Sequence, residues 1–272
     1  FTMPQAADDD YVRRFAQIVK KTLDPRRKVY IEYSNEVWNP LYPQNAYATK
    51  RGLALRLSKD PREAQVRYQA KRSVEVFSIW KEVFGEGRLV RVFSAWSGEP
   101  EVAEIALSFG DTRKHLDALA TAPYFGYYLA EDDAAAAKTA KLSLDELMRE
   151  LETVALPKAK AEMFAHATIA RKHGLPLIAY EGGQHLVDFR PDEQHDLALD
   201  ALFDAANRDP RMGKLYSRYL QDWAESGGGL FVHHLNCGAY SLHGRWGALE
   251  YISQPRSEAP KYDALRRFIE GR

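Results

Sequence analysis

Two glutamates, Glu36 and Glu181, follow short apolar segments of the chain and are the residues best placed for chemistry. Glu36 comes after residues 28–33, which are rich in β-branched and aromatic side chains, and Glu181 comes directly after residues 177–180. Both segments are typical of β-strands, so each glutamate stands where a predicted strand ends. One carboxyl group that keeps its proton and one that stays ionised can act together as a general acid and a nucleophile.

Strand-like and helical segments alternate along the chain. Strands are predicted at residues 28–33, 89–95, 118–122, 177–180 and 230–235. Helices are predicted near residues 8–23, 62–84, 101–108, 144–173, 194–206, 214–226 and 261–269, because apolar residues recur there at helical spacing. Strands that alternate with helices in this way form parallel βα units, and functional residues of parallel barrels collect at the carboxyl ends of the strands.

The fold predicted from this alternation is α/β, as part of a (β/α)8 barrel. The chain has 272 residues with 45% hydrophobic content, which suits one large catalytic-domain portion over residues 1–272. Five predicted strands are fewer than the eight of a closed barrel. An open doubly wound sheet is the alternative, but such sheets usually have a glycine-rich phosphate turn after the first strand. Ser-Asn-Glu-Val-Trp at residues 34–38 is not such a turn.

Two motifs resemble those of clan A glycoside hydrolases, the (β/α)8 enzymes that cleave glycosidic bonds with retention. Tyr-Ser-Asn-Glu-Val-Trp-Asn at residues 33–39 resembles the Asn-Glu motif at their fourth strand, and Ala-Tyr-Glu-Gly-Gly at residues 179–183 is similar to their seventh. The resemblance implies that Glu36 is the general acid/base, that Asn35 binds the sugar next to the cleaved bond, and that Glu181 is the nucleophile. In retaining enzymes two such carboxyl groups are about 5 to 5.5 Å apart.

On this resemblance the five strands correspond to the fourth to eighth strands of the barrel. Further candidate substrate-binding residues are Trp38, Trp96, Tyr124, His233, His234 and Trp246. The resemblance places Tyr124 near the nucleophile and Trp246 at an aromatic sugar platform. Trp38 and Trp96 line either a cleft or the core. Strand alternation predicts that one of the two adjacent histidines faces the barrel lumen, where it can bind a substrate hydroxyl, and that the other packs outward.

Composition and spacing exclude several classes of site. Lysine plus arginine and aspartate plus glutamate both number 38, so no net charge favours nucleic acid or an anionic membrane as a partner. His233, His234, Cys237 and His243 lack the paired spacing of a zinc site, so no metal is predicted. No cofactor is expected either. Since Cys237 is the single cysteine, no intrachain disulfide can form.

Several charged or polar residues outside these motifs also have predicted positions. Glu32 and Arg91 are both predicted to point into the barrel lumen and to form an ion pair, because unpaired buried charges are costly. His185, Asp188 and Asp192 follow Glu181 and are predicted to be solvated loop residues.

The sequence therefore predicts a retaining glycoside hydrolase that acts on a β-linked polysaccharide of the glucan, mannan or xylan type. The predicted location is extracellular or periplasmic. If the first three barrel strands are missing, the sheet edges at the predicted fourth and eighth strands are open. A further barrel segment or a partner chain is then expected to cover them. The alternative function is a non-catalytic carbohydrate-binding or degenerate barrel protein.

Overall fold

The computed structural model describes residues 1–190 and 196–271, and the chain divides into two compact units. Unit 1 comprises Phe1–Ala122 and Ala165–Tyr180, and unit 2 comprises Pro123–Phe164 and Glu181–Arg272. Glu36 therefore belongs to unit 1 and Glu181 to unit 2.

Unit 1 is built on a parallel sheet. Its described strands are β1 (Thr2–Met3), β2 (Val29–Tyr33), β3 (Leu89–Ser94), β4 (Ala118–Thr121) and β5 (Leu177–Ala179). Each strand pairs in parallel with the next one along the chain. The α/β class with parallel strands is thus confirmed. One face of the sheet forms a buried apolar cluster of Val92, Ala118, Ala120 and Ile178, against which Val90 and Tyr180 pack.

Two of the four described helices of unit 1 begin at an acidic capping residue. The four helices are α1 (Asp9–Thr22), α2 (Pro43–Ala54), α3 (Pro61–Phe84) and α4 (Glu101–Leu107). The Asp8 carboxylate accepts a hydrogen bond from the Tyr11 amide at 2.8 Å, and Asp60 accepts one from the Glu63 amide at 2.7 Å. These bonds satisfy amides that have no partner inside the helix and fix where α1 and α3 begin.

Unit 2 is mainly helical. Its elements are α5 (Asp133–Thr139), α6 (Leu144–Glu150), α8 (Leu197–Arg208), α9 (Pro210–Ser226), β6 (Gly228–Phe231) and α10 (Pro260–Ile269). The remaining helix, α7 (Leu156–Lys172), has residues in both units and follows α6 through a π-helical turn at Leu151–Ala155. Phe203, Tyr216, Tyr219 and Trp223 are buried in unit 2. No described helix is both long enough and apolar enough to cross a membrane.

Strand and helix boundaries differ from the prediction in a few places. The described residues form six strands, one more than predicted, because Thr2 and Met3 pair with Glu32 and Tyr33 of β2. The last strand is Gly228–Phe231 and not the predicted residues 230–235, so His233 lies after its end. The predicted start of a helix at Gln194 lies outside the described residues.

The predicted ion pair between Glu32 and Arg91 is wrong. In the sheet register Ile31 is the neighbour of Arg91, so Glu32 points to the opposite face. Arg91 instead forms two hydrogen bonds of 2.8 Å to the carboxylate of Asp117. Glu32 accepts hydrogen bonds from the hydroxyls of Thr2 and Ser94. Each of the two charged side chains thus forms hydrogen bonds on its own face of the sheet.

Candidate functional site

The loop after β2 holds Glu36 in an unusual backbone conformation. Ser34 and Glu36 have φ angles of 55° and 42°, a left-handed region that residues other than glycine rarely adopt. Such strain persists where the surrounding structure fixes the loop, and it is common at functional sites. The Asn39 side-chain amide donates a hydrogen bond of 2.9 Å to Glu36 Oε2. Asn39 was not among the predicted site residues, although it lies only three residues after the glutamate.

Two side chains at the start of α2 hold the same loop. Gln44 Nε2 donates to the carbonyl of Asn35 at 2.7 Å, and Asn45 Nδ2 donates to the carbonyl of Val37 at 2.9 Å. Asn35 itself is exposed, and Glu36 is half-buried. The backbone around Glu36 is therefore fixed on both sides while its carboxyl group remains accessible.

Two predicted sugar-binding tryptophans of unit 1 stack on each other. The rings of Trp38 and Trp96 have centroids 5.5 Å apart and planes inclined by only 4°. Both residues are half-buried. The buried His166 lies behind Trp96, with Nε2 at 3.1 Å from the Trp96 carbonyl and 3.2 Å from the Ser97 carbonyl. This histidine fixes the backbone that carries Trp96, and no pattern in the sequence indicated it.

Glu181 begins a closely packed loop in unit 2. Its side chain is 24% exposed, and His234 Nδ1 is 3.9 Å from Glu181 Oε2. The amide of His234 donates to the Gly182 carbonyl at 3.0 Å, and the amide of Phe125 donates to the Gly183 carbonyl at 3.1 Å. The loop after β5 is thus tied to the segments that follow β4 and β6.

Both glycines of this loop contact side chains that leave no room for a Cβ atom. At Gly182 a Cβ would lie 2.8 Å from Phe231 Cζ and 2.9 Å from the Tyr219 hydroxyl. At Gly183 it would lie 2.8 Å from the Tyr216 hydroxyl. Glycine therefore permits the backbone next to Glu181 to approach the side chains of α9 and β6.

The two adjacent histidines have different surroundings. The Tyr216 hydroxyl accepts a hydrogen bond from the Gln184 amide at 3.0 Å and also forms a hydrogen bond with His233 Nε2 at 3.2 Å. The pKa of His233 is lowered to about 3, mainly by burial of the ring and secondly by the nearby charge of Lys261. The side chain of His234 is 40% exposed and lies beside Glu181. His234 is therefore the better placed of the two to contact a substrate.

A group of rings surrounds His185. Its centroid is 4.7 Å from Trp246, 5.0 Å from Tyr124 and 5.0 Å from Phe189, while Trp246 also contacts His234 at 5.5 Å. The structure thus brings together the predicted residues Tyr124, His234 and Trp246. Burial lowers the pKa of His185 to about 4, so the ring is neutral at neutral pH.

The prediction that His185 and Asp188 are solvated is wrong. His185 lies among the aromatic rings described above, and its Nδ1 is buried. Asp188 is 3% exposed and accepts hydrogen bonds from Arg190 Nε and Nη2 at 2.9 and 2.6 Å. Polar residues after a Gly-Gly pair look like a surface loop, but here the chain turns inward. Asp192 lies outside the described residues.

Comparisons with known proteins gave structural matches at low sequence identity. No protein-family profile matches the chain, and no curated protein matches it. A Bacteroides uniformis β-glucuronidase is 13% identical, with a TM-score of 0.49, over 90% of this chain and 25% of that chain. B. uniformis β-glucuronidase 2 is 14% identical, with a TM-score of 0.45, over 86% of this chain and 22% of that chain.

A third similar structure comes from a fungus. The 4-O-α-L-rhamnosyl-β-D-glucuronidase of Fusarium oxysporum is 10% identical, with a TM-score of 0.44, over 93% of this chain and 51% of that chain. The chain therefore spans a quarter or less of the two Bacteroides enzymes and about half of the Fusarium enzyme.

The site residues offer carboxylates, amides, imidazoles and aromatic rings. Among residues 1–190 and 196–271, no group of three or more histidine, cysteine or acidic side chains is arranged to hold a metal ion. Carboxylates next to aromatic faces can bind and attack an uncharged, ring-shaped substrate, since C–H-rich sugar faces pack on aromatic rings while hydroxyl groups bind the polar atoms.

His185 is expected to make the protein sensitive to acid. Its folded-state pKa of about 4 is below the ordinary value of 6.5, so the unfolded chain binds one more proton between these pH values. Its contribution to stability is therefore complete above pH 6.5 and is lost as the pH falls towards 4, by about 3 kcal/mol. Urea unfolding between pH 4 and 7 should give a flatter stability profile for His185→Phe. A profile identical to that of the wild type would contradict this expectation.

Proposed function

We propose that the chain carries the catalytic residues of a retaining glycoside hydrolase, with Glu36 as general acid/base and Glu181 as nucleophile. One observation supports this most strongly. Each glutamate follows a strand of one parallel sheet, β2 or β5, in a loop that hydrogen bonds hold in place. Half-exposed aromatic rings accompany each loop. The proposal requires the two carboxyl groups to lie about 5 to 5.5 Å apart.

The two carboxyl groups would act in two steps. In the first step the ionised Glu181 attacks the anomeric carbon while Glu36 gives its proton to the leaving oxygen, which forms a covalent glycosyl-enzyme. In the second step Glu36 removes a proton from water, which attacks the same carbon and releases Glu181. Asn39 orients the Glu36 carboxyl group through its 2.9 Å hydrogen bond, and His234 lies where it can contact the Glu181 carboxylate.

The proposed substrate is a β-linked polysaccharide of the glucan, mannan or xylan type. The Trp38–Trp96 stack of unit 1 and the Tyr124–Trp246 pair of unit 2 each supply an aromatic face on which a sugar ring can pack. Asn35, exposed on the same loop as Glu36, would bind a hydroxyl group of the sugar next to the cleaved bond. A polymer of this kind cannot cross a membrane, so we place the enzyme outside the cytoplasm, in an extracellular or periplasmic location.

An activity survey tests the proposed function. Purified protein is incubated with glucan, mannan and xylan polymers and with chromogenic β-glycosides, including a β-glucuronide, and the released reducing ends are measured. We expect release from at least one substrate, with the β-anomer formed first in an NMR time course, and no release by Glu181→Gln. If no substrate is cleaved while affinity gels show retardation on a polysaccharide, the non-catalytic carbohydrate-binding function is correct. An α-anomer as first product would contradict retention.

We further propose that a barrel segment or partner chain covers the apolar surface after α9. Leu230, Val232 and Leu235 are 48%, 45% and 43% exposed, although β6 and its continuation are strand-like in sequence. A strand that exposes apolar side chains is a site for pairing with another segment. Hydrogen exchange of the amides at residues 228–235 should slow when such a segment is present. Exchange that stays equally fast would argue against it.

A further inference from the structure

A buried lysine in α10 lies outside the proposed site, but hydrogen bonds connect this lysine to the loop that carries Glu181. Lys261 is 0% exposed. Its Nζ donates to Asn207 Oδ1 at 2.9 Å and to the backbone carbonyl of Arg245 at 2.5 Å. The ring of Tyr240 lies 4.8 Å from Nζ. Within the described part of the chain, both hydrogen bonds of Lys261 therefore go to neutral acceptors.

Packing alone does not account for a lysine at this position. Burial strongly opposes the charged form and lowers the pKa of Lys261 well below its ordinary value. Burying an amine costs folding free energy that hydrogen bonds, or a paired carboxylate for the charged form, must offset. A methionine of similar length would fill the same space without this cost. What the lysine adds is the pair of hydrogen bonds, one of which holds the Arg245 carbonyl.

The Arg245 carbonyl also binds the loop that begins with Glu181. It accepts a second hydrogen bond, of 2.8 Å, from Gln184 Nε2. Gln184 is 1% exposed, and its Oε1 accepts a hydrogen bond of 2.8 Å from the Leu186 amide. The side chain of Gln184 thus connects the turn after Glu181 to the Arg245 carbonyl, and the same carbonyl is held from the other side by Lys261.

The rest of Arg245 is fixed by α8. Its Nε donates to Asp204 at 2.6 Å and its Nη2 donates to Asp200 Oδ1 at 2.8 Å, while the whole residue is 2% exposed. The guanidinium is therefore anchored on α8, and the carbonyl of the same residue is anchored on α10 through Lys261. A displacement of this carbonyl would remove the acceptor that Gln184 uses.

We propose that Lys261 is a positioning residue for Glu181. It holds the Arg245 carbonyl at the place where Gln184 binds it, and Gln184 in turn fixes the loop that carries the Glu181 carboxylate. The proposal rests on the proposed function only in so far as Glu181 is the nucleophile. The hydrogen-bonded path itself runs from Lys261 Nζ through Arg245 O to Gln184 Nε2.

His234 provides a readout that needs no turnover. Because its Nδ1 is 3.9 Å from Glu181 Oε2, the pKa of His234 depends on where that carboxylate lies. NMR titration of the imidazole is carried out on the wild type, on Glu181→Gln, and on Lys261→Met and Gln184→Met. The matched control is Lys141→Met, which makes the same chemical change at an exposed position. A thermal melt of each variant verifies that it is folded.

We expect Lys261→Met and Gln184→Met to shift the pKa of His234 towards its value in Glu181→Gln, and Lys141→Met to leave it unchanged. The double variant should shift it no further than either single variant, because both act through one path. A folded Lys261→Met with the wild-type pKa at His234 would overturn the proposal. If Lys261→Met does not fold, Gln184→Met decides in the same way, and an unshifted His234 again overturns the proposal.

Kinetics separate this proposal from the proposed function. On any substrate that the wild type cleaves, Lys261→Met should lower kcat by about 10- to 100-fold with little change in KM, since small misplacements of a catalytic group have effects of this size. A protein without glycosidase activity would still show the shift at His234. An unshifted His234 in an active enzyme would reject the role of Lys261 and leave the proposed function standing.

Discussion

Turnover by the Glu181→Gln variant is expected to fall by a factor of at least about 10⁴. Glutamine has the same shape as glutamate, so the loop should keep its hydrogen bonds. The neutral amide cannot attack the anomeric carbon, and the covalent intermediate is therefore not formed. The measurement is kcat on the best substrate of the activity survey, with circular dichroism to verify the fold.

Two further variants serve as comparisons for Glu181→Gln. Glu36→Gln should lower kcat by about 10²- to 10⁴-fold on a natural glycan, and much less on a substrate with an acidic phenol as leaving group, which departs without a proton donor. Glu152→Gln changes an exposed glutamate of unit 2 and should leave turnover unaltered. Turnover of Glu181→Gln close to that of Glu152→Gln would remove Glu181 from the mechanism.

Gly183→Ala is expected to destabilise the protein by about 3 kcal/mol and to reduce activity with it. Gly183 has a φ angle of 142°, which L-amino acids rarely adopt. The added Cβ would also lie 2.8 Å from the Tyr216 hydroxyl and 3.2 Å from His233 Nε2. Tyr216 is buried and His233 is half-buried beside it, and a shift of Tyr216 would disturb the hydrogen bond that its hydroxyl accepts from the Gln184 amide.

Urea unfolding at neutral pH measures this effect, and the chain offers a matched control. Gly87→Ala adds the same methyl group where no atom lies within 4 Å, and its stability should stay within about 0.5 kcal/mol of the wild type. If Gly183→Ala were as stable as Gly87→Ala, the close packing around the Glu181 loop would not hold in solution.

The sequence predicted those parts of the fold that depend on local signals. Acidic residues stand at the start of α1, and apolar residues recur at helical spacing along both α1 and α3. The parallel strands followed from their alternation with these helices. The strand β1 was missed because Thr2 and Met3 are too few for any period to show, and they form a strand only by pairing with β2.

The surroundings of the site could be predicted only in part. Glu36 and Glu181 were selected because each follows a strand, which is a property of neighbouring residues. The position of His185 among aromatic rings depends instead on Tyr124 and Trp246, which lie 61 residues before and after it along the chain (185 − 124 and 246 − 185). The roles of Gln184 and Lys261 could not be predicted either, because both side chains bind the backbone carbonyl of Arg245, and no side-chain pattern reveals such a partner.

The parallel Trp38–Trp96 stack gives the protein an intrinsic optical probe. Of its five tryptophans, Trp80 and Trp223 are 0% and 1% exposed, so their fluorescence should respond little to a ligand in solution. The two stacked indoles are half-exposed and differ from the buried pair in their access to quenchers such as iodide. An oligosaccharide that covers them would change emission and quenching together, which allows its affinity to be determined on an unlabelled, catalytically inactive protein.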